Sequence, residues 1–235
     1  MEVKITIGSE EYYVPEKITV ELFEKAMVWD IADEKNIKPF VATILQCSLH
    51  DIDKLEEEVY GFISGVCIHR MSLWGEELHE QIDGHSLKPF DQLTFGEWVD
   101  IDTMMYQDTS AHIKDIGAII YDAKVEDVLQ WNIKDLGPSI KALSEWRVQV
   151  YKEHDEFFEI GDNPKESGES QKANVALIWY DAIMTLANEE FINIERVIGR
   201  PYKEALNYLT WKKAKIAKEK MELLKRKNDL SRRTK

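Results

Sequence analysis

The stretch QLTFGEWVDIDTMMY, residues 92–106, decides how this chain is read. Thr94 followed by Glu97 is the capping-box spacing: the threonine hydroxyl accepts the backbone N–H three residues on, and the glutamate reaches back to the threonine N–H. A helix is therefore predicted to begin at Thr94. Phe95, Trp98, Ile101 and Met105 then recur at steps of three and four, which lays one apolar stripe along the helix, while Glu97, Asp100 and Asp102 are expected to face elsewhere. Trp98 is expected in the core.

A fainter version of the same pattern lies 75 residues upstream. Residues 15–46 overlay 90–121 without gaps, matching Ile18 with Leu93, Thr19 with Thr94, Val20 with Phe95, Phe23 with Trp98 and Ala26 with Ile101. Past the helix, Val41, Ala42, Ile44 and Leu45 meet Ile116, Gly117, Ile119 and Ile120. An internal duplication and the chance likeness of amphipathic helices both account for this. The duplicated unit would be a strand, a turn, a strand, a Thr-capped helix and a second apolar helix.

Taken in order, Val3 to Ile7, the Gly8-Ser9 turn and Tyr12 to Val14 predict a β-hairpin. Thr19 is predicted to cap a helix to about Asp33 that buries Leu22, Phe23, Ala26, Met27 and Ile31. Pro39 is expected to open another, and Ser48 with Asp51 a third, running on through Val59, Phe62 and Val66. Leu78 to Pro89 predicts a second hairpin turning at Gly84. Ser139 is expected to cap a long helix ending at Gly161, the polar stretch 161–174 to be a loop, and Val175 to Leu186 and Glu189 to Ile198 to be helices. Pro201 opens the last helix, where Tyr202, Leu209, Ile216, Leu223 and Leu230 recur every seven residues. The expected fold is α+β, predominantly α-helical with two small β-hairpins. Its parts are read as 1–89, a hairpin-plus-helices unit; 90–165, a second such unit; and 166–235, a helical end with a basic amphipathic helix.

The 235 residues are 44% apolar with seven Trp, a composition that supports a folded core. No apolar run approaches the roughly 20 residues of a membrane helix, and the start MEVKITIGSEEYY lacks the basic and apolar regions of a signal peptide. The net charge of −14 is unevenly spread. From Lys212 to Lys235 eleven Lys and Arg stand against three acids, a balance of +8 that leaves −22 on the first 211 residues. An acidic body disfavours nucleic acid over most of the chain, whereas the basic tail suits an acidic partner, a nucleic acid or the protein's own body.

Chemical motifs are largely absent. The sequence has no GxxxxGK[ST], GxGxxG, GxSxG or HExxH, so phosphate loops, the hydrolase elbow and the zinc-protease pair lack support. His79, Asp83 and His85 flank a turn, and hairpin polarity explains them better than metal binding. Cys47 and Cys67 read as free buried thiols. Glu56, Glu57 and Glu58, like Glu76 and Glu77, are too ordinary among 44 acids to mark a catalytic pair. Trp74, Trp98, Trp131, Trp146, Trp179 and Trp211 read as core before they read as a binding cage. The basic run from Lys212 and Lys213 onward has no interleaved aromatic beyond Trp211, which weakens it as a nucleic-acid arm. No enzyme, cofactor or metal is expected.

Four stretches carry a resemblance: VATIL at 41–45 with SLHDIDKL at 48–55; LTFGEWVDID at 93–102 with IGAIIYDA at 116–123; HDEFFEIGDN at 154–163; and IWYDAIMTLANEEFINIERV at 178–197 leading into the Lys-rich last helix. Together they resemble tailed-bacteriophage proteins of the tail-assembly chaperone and baseplate-hub-associated kind. The resemblance implies a non-enzymatic virion or tail-assembly protein of the tail, neck or baseplate, located in the virion or host cytoplasm. Its partners would be other phage structural proteins or copies of itself. A chaperone absent from the mature particle, and a nucleic-acid adaptor using the basic helix, are the alternatives. No catalytic residue transfers. The docking surface is expected at Tyr202, Leu209, Ile216, Leu223, Leu230, Lys212 and Lys213, and the structural positions at Thr19, Thr94, Glu97 and Trp98.

Overall fold

A computed structural model describes residues 3–72, 75, 77–158 and 168–233, without the side chains of 72, 168–174 and 227–233. In chain order the elements are β1 (Val3–Ile7), β2 (Glu10–Val14), α1 (Val20–Met27), α2 (Glu34–Leu45), α3 (Leu49–Ile52), α4 (Glu57–Ser72), β3 (Gln81–Ile82), β4 (His85–Ser86), α5 (Phe95–Asp108), α6 (Ile113–Tyr121), α7 (Val125–Val128), α8 (Ile133–Glu153), α9 (Asp155–Phe158), α10 (Gly168–Leu186), α11 (Ile194–Ile198) and α12 (Tyr202–Arg233). The fold is predominantly helical α+β. Its strands form two antiparallel hairpins, β1 with β2 and β3 with β4. Asp83 and Gly84 both take positive φ, 47° and 85°, the backbone that a two-residue hairpin turn requires and that an Asp-Gly pair adopts most readily.

The chain forms two compact units that interleave along the sequence: 1–88 with 108–143, and 89–107 with 144–235. These differ from the contiguous blocks expected from sequence, because the chain returns to the first unit after α5. Residues 108–121, overlaid on 33–46 as though they belonged to a second copy, lie in the first unit with their apparent counterparts.

In the first unit the core gathers Ile5, Val14, Phe23 and Val41 with Ile116, Ile120, Val128 and Trp131. Thr19 caps α1, accepting the Leu22 N–H at 3.2 Å. Beside this cap the Val20 N–H donates to the Trp131 carbonyl at 2.9 Å, and the Ile133 N–H donates to the Ile18 carbonyl at 2.9 Å. The helix ends at Met27, short of Asp33, so Met27 and Ile31 are left exposed rather than buried. Ser48 caps α3, yet the chain breaks before α4 begins, and Val59 and Phe62 face outward.

Pro39, expected to open a helix, and Pro138, just ahead of the Ser139 expected to cap one, both lie inside helices. Asp33 caps α2 ahead of Pro39, accepting the Lys35 N–H at 3.1 Å. At α8 the Asn132 side chain accepts the Lys134 N–H at 3.2 Å, six residues before Pro138, so Ser139 is no cap. Ser139 is instead fully buried, its hydroxyl 2.7 Å from that of Tyr121. A helical proline cannot donate to the carbonyl four residues back. Here that carbonyl, of Lys134, accepts the Gly75 N–H at 3.2 Å, and a Cβ at Gly75 would overlap the same oxygen. Pro138 is thus accommodated by a glycine that reaches the orphaned acceptor.

The second unit repeats the construction around Thr94. The capping box forms as the spacing requires: the Thr94 N–H donates to the Glu97 carboxylate at 2.8 Å, and the Glu97 N–H to the Thr94 hydroxyl at 3.2 Å. The Phe95 N–H donates to the Arg200 carbonyl at 2.6 Å, and the Tyr202 N–H to the Leu93 carbonyl at 3.2 Å. Each Thr cap is therefore clamped by the residues that open a later long helix. The pairs Thr19 with Asn132 and Thr94 with Pro201 are unequally spaced in sequence, so no gapless overlay contains both clamps. α10 begins at Gly168, inside the stretch expected to be a loop, where Glu169, Gln171, Lys172 and Ala173 are good helix formers. The expected helix end at Gly161 and the expected loop at 161–167 lie outside the described residues, as does Trp74.

Candidate interaction site at the C-terminal helix

α12 has two characters along its length. Its first two turns complete the core of the second unit: Tyr202 is fully buried and Leu209 is 5% exposed. The Trp98 ring stacks on Tyr202 with centroids 4.8 Å apart and planes 14° off parallel, and the Trp146 indole N–H donates to the Tyr202 hydroxyl at 3.1 Å. Trp98 itself is fully buried, with no hydrogen-bond partner for its indole nitrogen. From residue 214 to 226 every side chain is exposed, including Ile216 at 54% and Leu223 at 65%. The heptad series read from sequence is consequently not one surface. Tyr202 and Leu209 belong to their own core, Ile216 and Leu223 stand in water, and the side chain of Leu230 lies outside the described residues.

Near the root of the exposed part lies a buried polar cluster. Asp102, expected on the outer face of α5, is turned inward with its carboxylate 1% exposed. It accepts from Arg147 Nε at 2.5 Å, from the Tyr151 hydroxyl at 2.9 Å and from the Trp179 indole N–H at 2.8 Å. These three donors come from α8 and α10, so one carboxylate joins three helices of the unit. Satisfying both oxygens is what makes the burial tolerable. Burial, then the neighbouring Asp102 charge, pushes the Tyr151 phenol well above its ordinary range. The sequence held a signal for this cluster: Asp102 lies four residues beyond Trp98, on the same stripe, and Arg147 and Tyr151 are likewise spaced by four.

Beside the cluster lies an apolar groove of about 480 Å³, walled by Phe157, Phe158, Trp179 and Ala182 and edged by Lys212 and Ile216. Phe158 stacks on Tyr151 at 3.9 Å, and Lys213 donates to the Phe157 carbonyl at 3.2 Å. Lys212 and Lys213 are accordingly half-buried at the helix root, and Lys215, Lys218 and Lys220 carry the charge outward. His154, on the inner side, sits 3.1 Å from the Thr210 hydroxyl, and its burial holds its pKa below the ordinary histidine value.

The remaining residues singled out from sequence lie elsewhere. His79 is 3.8 Å from Asp135, and His85 packs against the Trp131 ring at 5.7 Å. Among the described residues no three His, Cys, Asp or Glu side chains group to hold a metal ion. Cys67 is buried, which pushes its thiol up to about 12, while Cys47 is only half-buried; both are free. No described helix is long and apolar enough to cross a membrane. No family model, curated protein or solved structure matches this chain.

Proposed function

We infer that this chain is a non-enzymatic tailed-bacteriophage protein of the virion or tail-assembly machinery, which works by binding other proteins through the outer part of α12. The observation that carries the binding role is the exposure of Ile216, Leu223 and Leu224 on a helix whose flanks are lysine-rich. A water-bound helix gains little from leucines at such positions, whereas laying an apolar stripe into a partner's groove is a common mode of recognition. The lysines supply long-range attraction to an acidic surface and set the orientation of approach. The phage setting is supported by the four sequence stretches described above.

The test is deletion of 212–235 in the phage that encodes the chain, followed by mass spectrometry of purified particles and of complexes recovered from infected cells. The expected result is a folded truncated protein that no longer enters particles or copurifies with tail proteins. Recovery in complexes but not in particles, for the full chain, assigns the assembly-chaperone role. A truncated chain incorporated as efficiently as the full one contradicts the binding role of α12. Salt-dependent DNA binding by the intact helix, without protein partners, would favour a nucleic-acid adaptor instead.

A further inference from the structure

The helix α4 carries apolar residues on every side. Ile63, Cys67 and Met71 are buried, while Phe62, turned away from them, is 63% exposed and Val59, one turn before Ile63 at the edge of the buried stripe, is 38% exposed. Helices apolar all round normally have neighbours all round. On the far side of Phe62 from Val59 stand Gly61 and Gly65, where an added Cβ would meet nothing within 4 Å. Two glycines in mid-helix are unfavourable relative to alanine, and they leave a low strip along which another helix backbone can approach closely. Glu56, Glu57 and Glu58 precede and open α4, and none holds an ion pair among the described residues.

The same chain carries the complement. The exposed run 214–226 of α12 presents Ile216, Leu223 and Leu224 with Lys218 and Lys220 around them. At about 1.5 Å per residue it spans roughly 20 Å, close to the roughly 24 Å of α4. We propose that α12 of one copy packs lengthwise on α4 of a second copy, its apolar seam over Val59 and Phe62 and its lysines against Glu56 to Glu58. This rests on reading α12 as a docking element and names its receptor. Two bodies of charge −22 repel, so opposite charge favours tail on body over body on body. Donor and receptor are different surfaces, which makes the contact heterologous: copies add head to tail into a ring or a filament.

Sedimentation velocity on the purified full chain tests this, using Phe62→Asp and Leu223→Asp. Both sites are exposed, and circular dichroism checks each fold; Val59→Glu replaces Phe62→Asp if the latter does not fold. Wild type is expected to associate as concentration rises, and less so at high salt. Each variant alone is expected to associate at least about tenfold more weakly. Mixed in equal amounts, the two should form a 1:1 dimer and stop, since the mixture retains one intact donor and one intact receptor. A wild type that stays monomeric overturns the proposal. So does an equal mixture that forms no dimer. If only Leu223→Asp impairs association, α12 docks but not on α4; if neither does, the docking role of α12 falls as well.

Discussion

Replacing Asp102 with alanine should be among the most damaging single changes in the second unit. Its carboxylate is 1% exposed and accepts from Arg147, Tyr151 and Trp179. Removing one partner of a buried ion pair costs about 3–5 kcal/mol, because the other charge stays buried without compensation. Stranding the Tyr151 and Trp179 donors would add about 1–3 kcal/mol each if neither relaxed. Arg147, however, has a side chain 19% exposed and reaches water, so the net expectation stays near 3–5 kcal/mol. Arg147→Met in the same background removes the stranded cation, and the double variant should be more stable than the sum of the singles by about 2 kcal/mol. Urea unfolding followed by tryptophan fluorescence and circular dichroism measures all four species. A loss below about 1 kcal/mol for Asp102→Ala, or strict additivity in the double variant, refutes the cluster as the joint of α5, α8 and α10.

Trp98→Ala should cost about 3–5 kcal/mol, since the ring is fully buried and stacked on Tyr202; an unchanged urea midpoint would contradict that packing. Gly75→Ala should destabilise the first unit by more than about 2 kcal/mol, because its Cβ would displace the Lys134 carbonyl that the Gly75 N–H satisfies; a thermal midpoint equal to wild type would show that the strand of chain yields freely. His154 has a folded pKa below its unfolded one, so between the two values the unfolded state binds more protons and stability falls as pH falls. Wild type should therefore lose more stability than His154→Gln between about pH 7.5 and about pH 5.5, and equal losses would show that the buried imidazole is not responsible.

What the sequence disclosed followed from local chemistry. Thr94 and Glu97 fix a helix start by their spacing, Thr19 and Ser48 do so by their hydroxyls, and Asp83-Gly84 fixes a hairpin turn by its backbone preference. What it hid depends on distant partners. Ser139 after Pro138 looks like a helix cap until Gly75, far off in sequence, fills the acceptor that a helical Pro138 leaves open. Asp102 looks like a solvated face until Arg147, Tyr151 and Trp179 arrive from other helices. The clamps on Thr19 and Thr94 are backbone hydrogen bonds, which no side-chain pattern records. At α12 the seven-residue repeat is visible, but only the burial of Tyr202 and Leu209 against the exposure of Ile216 and Leu223 separates core from exposed stripe.

Amide hydrogen exchange along α12, in the free full-length chain and in its assembled state, bears most directly on the claim that this helix docks on another protein. Amides around 203–209 should be protected in both states, because Tyr202, Leu206 and Leu209 pack in the core. Amides at 214–226 should exchange quickly in the free chain, where no described tertiary contact buries them, and become protected by tenfold or more, on the order of 1.4 kcal/mol, on assembly. Strong protection of 214–226 in the free chain, or no gain on assembly, would contradict the account.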